Sequence, residues 1–128
     1  MLSLGLNQSV HSMSEISLAK KIVDRMYNHD PMSQWLGIER VEDGPGISVL
    51  KLRVREEMLN GFHIAHGGIC YSLADSALAF ASNAHGIQAV SIETSISHVA
   101  PVQLGDELTT RVEEKSMTKR TDRKSTRL

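Results

Sequence analysis

Residues 66–86, HGGICYSLADSALAFASNAHG, hold two features that could do chemistry together. Gly67 and Gly68 stand where an apolar helix is expected to begin. Without side chains there, a substrate carbonyl can approach the backbone N–H groups, and the helix field stabilises negative charge developing on its oxygen. Asp75 is the single carboxylate of the segment, about two turns further on. A partly desolvated carboxylate is a stronger base than one in water, so Asp75 reads as a general base or a nucleophile, with water as co-reactant. Spacing leaves open that it is an ordinary aspartate on a wet side of the helix, or one satisfied by a neighbouring backbone or hydroxyl group. Asn60 and His66 flank the glycines and could donate to the same carbonyl; for His66, capping or packing is an equal alternative. His63 reads as a surface loop residue. Together these are parts for acyl transfer.

Other chemistries fit worse. His63 and His66 are close in sequence, yet no HExxH, cysteine pair or well-spaced carboxylate accompanies them, so no metal site is expected. No GxSxG is present, and Ser72 and Ser76 fall inside the expected helix, away from any strained strand-to-helix turn, which argues against a Ser-His-Asp hydrolase.

The elements that must position these groups follow from periodicity. Ser12 and Glu15 stand in capping-box spacing ahead of Ile16, Ala19, Ile22, Val23 and Met26, which predicts an amphipathic helix over about 14–28, with Pro31 beyond its end. Trp35 and Leu36 are expected packing anchors on the way into a first strand region. EDGPG at 42–46 is a hairpin signal, and Ile47 to Val54 reads as a half-exposed strand with an imperfect register around 49–51. The helix expected over 68–84 is apolar nearly all round and should be buried. Gln88 to Val99 then alternates as strand material, with Ser91, Glu93, Ser95 and Ser97 on its polar face, and another strand begins over Leu108 to Val112. This order suits an α+β fold, an antiparallel sheet wrapped on one central helix, better than a doubly wound sheet.

At 128 residues the chain is one domain, expected as a loose leader over 1–13, a body over 14–116 and a basic tail over 117–128. The tail carries five Lys or Arg against one Asp, hence +4 against −5 for the rest. Without interleaved aromatics and with an acidic body, it reads as a solvated or disordered tail, not a nucleic-acid contact. The lone Cys70 excludes an intramolecular disulfide. No signal peptide or spanning segment is visible, so a cytoplasmic protein without membrane contact is expected.

The run LNGFHIAHGGICYSLADSALAFASNAHG, followed by SIETSISHVAPVQLGDEL, closely resembles the hotdog-fold acyl-CoA thioesterases, most nearly those of phenylacetate degradation. LNG, HGG, LAD and P-x-x-x-GD come in family order over about residues 30–116. The resemblance implies a hotdog fold and hydrolysis of an acyl-CoA, with phenylacetyl-CoA or hydroxyphenylacetyl-CoA as substrate. A non-catalytic acyl-CoA or small-ligand binder of the same fold is the alternative. On this chain Asp75 resembles the carboxylate that activates water or attacks the thioester, and Gly67 the backbone donor to its carbonyl. Asn60 and His66 match positions lining the pocket, with Gly68 beside them. Ser91 falls where some relatives place a hydroxyl that orients the water. No cofactor is implied, CoA entering as part of the substrate.

The family builds its active site between the subunits of a homodimer, commonly paired into a homotetramer. Helical rise puts Gly67 and Asp75 about 12 Å apart, too far for both to serve one carbonyl and its attacking water from a single chain. A two-fold partner can bring the missing carboxylate. The family also continues past the position of Lys119 into another long strand pair, where this chain reads TDRKSTRL, so the expectation is either a sheet incomplete at its C-terminal side or a chain that is not the full natural protein.

Overall fold

The computed structural model describes residues 11–117 and 122–127. Helix α1, Met13–Asn28, begins where the Ser12 hydroxyl accepts a hydrogen bond from the Glu15 N–H at 3.3 Å, and it buries Ala19 and Val23. Asp30 caps a short helix α2, Pro31–Trp35, by accepting from the Ser33 N–H at 2.9 Å. Pro31 is thus more than a residue beyond the first helix. It opens a second one, because a first-turn proline forfeits no helical hydrogen bond. Leu36 is fully buried, but Trp35 is 48% exposed, with the Arg55 guanidinium stacked 5.2 Å from its ring centre. The expected anchor is therefore Leu36 alone.

Strands β1, Glu39–Gly44, and β2, Ile47–Arg53, form the expected hairpin. Its register slips between Arg40 and Glu42, opposite Leu50 and Val49, which is where the apolar alternation is imperfect. Gly46 closes the turn at φ +72°, and a Cβ there would stand 2.9 Å from that of Glu114. Its N–H donates to the Ala81 carbonyl at 3.1 Å and its carbonyl accepts from the Glu114 N–H at 2.8 Å. The turn thereby joins the sheet to the long helix.

Strand β3, Glu107–Met117, pairs with the other edge of β2, and β4, Asp122–Arg127, pairs with β3, giving an antiparallel sheet of order β1-β2-β3-β4. Of the expected solvated or disordered tail over 117–128, residues 122–127 have regular strand backbone instead of disorder. The β3 edge offers unpaired N–H and C=O groups, and backbone pairing satisfies them whatever the side chains. Residues 1–10 of the expected leader, and 118–121 and 128 of the tail, lie outside the described residues.

Helix α3, Gly67–Asn83, crosses the sheet and buries Ile69, Cys70, Leu73, Ala77, Phe80 and Ala81. They meet a core that includes Leu50 and Leu52 of β2 and Val112 of β3. Phe80 stands edge-on to Tyr27 of α1, ring centres 6.5 Å apart. One sheet covers only one side of a helix, so α3 is not buried all round: Asp75 is exposed, with Tyr71, Ala74 and Leu78 half-buried beside it.

The strand expected over 88–99 does not form. The segment runs back along α3 without a sheet neighbour. Asn83 holds the Ala89 peptide by its N–H at 2.9 Å and its carbonyl at 3.0 Å, the Thr94 hydroxyl bonds that of Tyr71, and His98 reaches Gly67. Ile96 is half-buried, but the other large apolar side chains stay in the open, Val90 at 84%, Ile92 at 86% and Val99 at 94% exposure.

Candidate active site

The N-terminus of α3 is built by a tight loop. His66 caps it, Nδ1 accepting from the Gly68 N–H at 3.1 Å. This hydrogen bond takes up the Gly68 donor and, in a neutral ring, leaves the proton on Nε2. The Gly67 N–H finds no acceptor among the described residues. It is a free donor at the positive end of a 17-residue helix. Asn60 precedes the loop, and its Oδ1 accepts from the Phe62 N–H at 2.9 Å, which leaves the Nδ2 hydrogens as the donors the side chain can offer. His63 is exposed, as expected, at φ +61°.

Asn60 and Gly67 line one cleft of about 360 Å³, together with Ile64, Ala65, Cys70 and the His98–Val102 stretch. It is largely apolar, with a few polar groups converging on it, as a small-molecule site requires. Burial pushes the Cys70 thiol above its ordinary range, so near neutrality it stays a thiol and a poor nucleophile. His98 was missed by sequence reasoning. The outer edge of its ring lies over Gly67: a Cβ on that glycine would stand 3.2 Å from both Nε2 and Cε1. A histidine inside an alternating run carries no local signal of such a contact.

Asp75 and Ser91 do not join this cleft. Asp75 lies eight residues further along α3, about 12 Å by helical rise, on the exposed side. The desolvation expected for it is not provided within one chain. Ser91 is exposed in the segment that follows α3. Of the helix serines, Ser76 acts structurally: its Oγ lies 2.8 Å from Ser33 Oγ, which donates to Asp30 Oδ2 at 2.6 Å. That chain pins α3 against α2 one residue from Asp75 and includes no histidine.

A larger hollow of about 430 Å³ between α1 and β1 contains none of these groups. Its guanidinium, Arg40, is already engaged by Asp24 at 2.5 Å and Asp43 at 2.7 Å. Among the described residues there is no cluster of three or more metal-ligating side chains, and no helix is long and apolar enough to cross a membrane.

Comparison with known proteins places the chain in a family. The thioesterase superfamily model matches residues 62–121. A putative esterase of Archaeoglobus fulgidus is 34% identical over 104 residues, 81% of this chain and 68% of that protein. The acyl-coenzyme A thioesterase PaaI of Escherichia coli is 39% identical over 84 residues, 66% of this chain and 60% of that protein. The structure of E. coli PaaI, from the phenylacetic acid degradation operon, aligns with a TM-score of 0.79 at 34% identity, covering 81% of this chain and 75% of that one. A Streptococcus mutans protein bound to acetyl-CoA aligns with a TM-score of 0.62 at 26% identity, covering 64% and 66%. The chain thus spans about two thirds of the length of the two curated relatives.

An antiparallel sheet packed on one long helix is the hotdog arrangement, and the chain belongs to the thioesterase superfamily, in its acyl-CoA thioesterase class. Within that class it is close to the thioesterases of phenylacetate degradation.

Proposed function

We propose that the chain hydrolyses phenylacetyl-CoA or a hydroxyphenylacetyl-CoA to the free acid and CoA, at sites shared between two copies. The observation that carries this reading is the unpaired Gly67 N–H in a largely apolar cleft, with the only carboxylate of α3 exposed outside it. The thioester oxygen accepts from the Gly67 N–H and from Asn60 Nδ2. The partner subunit's Asp75 takes a proton from water as the water oxygen bonds to the carbonyl carbon. The C–S bond then breaks, its electron pair leaves on sulfur, and the thiolate takes the proton. Direct attack by the carboxylate, with water cleaving the resulting anhydride, gives the same products. His66 holds the loop through its cap, Gly68 allows the close approach, and Ser91 orients the water. The two-fold dimer, itself paired into a tetramer, acts in the cytoplasm with no metal, bound cofactor, nucleic acid or membrane.

The E. coli relative's name and operon support the acyl class, and the acetyl-CoA in the S. mutans structure supports CoA recognition. Release of thiol from aromatic and linear acyl-CoAs tests the reading. Asp75→Ala should lower kcat by about 10²- to 10⁴-fold. Mixing Asp75→Ala chains with Gly67→Val chains should restore up to one site per heterodimer, and EDTA should change nothing. An inactive wild-type protein that binds acyl-CoA tightly would make it a binder, and full activity in Asp75→Ala would refute the assigned base. A strong preference for linear chains would remove the aromatic assignment.

A further inference from the structure

We propose that His98 is a further hydrogen-bond donor, beside the Gly67 N–H and Asn60 Nδ2, at the oxyanion position, and so a catalytic residue; the inference rests on the hydrolysis proposed above. Three observations meet here. The first is distance. A Cβ on Gly67 would stand 3.2 Å from His98 Nε2, and such a Cβ lies about 2.5 Å from its own backbone nitrogen, so Nε2 is no more than about 5.7 Å from the Gly67 nitrogen. Two donors that each reach one oxygen at about 2.9 Å can stand up to about 5.8 Å apart. The separation therefore leaves room for one oxygen to accept from both.

The second is availability. The His98 ring makes no hydrogen bond or ion pair among the described residues, and it lines the same cleft as the unpaired Gly67 N–H. Its face toward the glycine is the Nε2–Cε1 edge, with Cδ2 further off at 3.8 Å, so the polar end of the ring addresses the site. The Nε2–H tautomer and the imidazolium both present a donor there.

The third is anchorage. Thr94, four residues before His98, bonds Tyr71 of α3 through their hydroxyls, and Val102, four residues after it, accepts from the Ala65 N–H at 2.7 Å. The backbone on either side of His98 is thus tied, once to α3 and once to the loop that leads into it. A donor carried on backbone tied in this way starts near the place where charge moves onto the thioester oxygen, and a donor so placed acts more on the transition state than on the bound substrate.

The test compares His98→Phe, which keeps a ring of similar shape without a donor, with His98→Gln, which restores an N–H. Steady-state hydrolysis of phenylacetyl-CoA by the intact oligomer is the readout, with thermal melting alongside. His98→Phe should lower kcat on the order of 10²-fold with KM little changed, and His98→Gln should recover at least about tenfold of that loss. Both variants should melt with the wild type, since His98 is exposed. An active wild type with His98→Phe at full rate overturns this inference alone, as does a loss confined to KM or equal in the two variants. An inactive wild type removes the proposed hydrolysis and the inference together.

Discussion

Strand β2 and the segment 88–99 are written in nearly the same alternating pattern, yet they end in opposite environments. β2 has a hydrogen-bonded neighbour on each edge and α3 against one face, and Leu50 and Leu52 are buried there. The segment 88–99 borders α3 at Ala89, Thr94 and His98 and leaves Val90 and Ile92 in the open. Alternation chooses which side chains share a face. It does not supply the neighbouring strand whose hydrogen bonds and packing make that face stable. The closed region is therefore a scaffold, and the open one leaves Ser91 and His98 to solvent, as the uncovered side of α3 leaves Asp75.

Substitutions can sharpen or break this contrast. The largest effect is expected in the closed region: Phe80→Ala should cost about 3–5 kcal/mol in urea unfolding, because the ring is fully enclosed and its removal leaves a cavity. A cost near zero would mean that α3 is not packed on the sheet. Gly46→Ala comes next, at about 1–3 kcal/mol, since alanine must adopt positive φ and its Cβ meets the backbone-proximal part of Glu114. Tolerance of alanine there would break the link between hairpin, β3 and α3. Ser12→Ala should cost about 1 kcal/mol through the lost cap of α1, read as a shift in urea midpoint. The smallest effect belongs to the open segment: Ile92→Ser should change the stability of the monomer by less than about 0.5 kcal/mol. A loss comparable to that of Phe80→Ala would show the segment packed in the folded monomer. If copies assemble over this face, sedimentation will show the cost as weaker association.

Wherever a few neighbouring residues decide the outcome, the sequence was readable. The Ser12 cap, the turn at Gly46, the register slip beside Val49 and the start of α3 at Gly67 all follow from side-chain chemistry within about one turn, and each is found in the structure. The alternative of a capping role for His66 was equally local, and it is that alternative the Nδ1 contact with Gly68 takes up. Tertiary structure alone decided the rest. Whether 88–99 pairs depends on a neighbour from elsewhere in the chain, and whether Trp35 is buried depends on Arg55, 20 residues away. The exposure of Asp75 follows from a sheet that covers only one side of α3. The approach of His98 to Gly67 joins residues 31 positions apart through a reversal that no periodicity encodes. Local propensity reaches only as far as backbone hydrogen bonds between near neighbours, whereas the site depends on distances that only the packed chain defines.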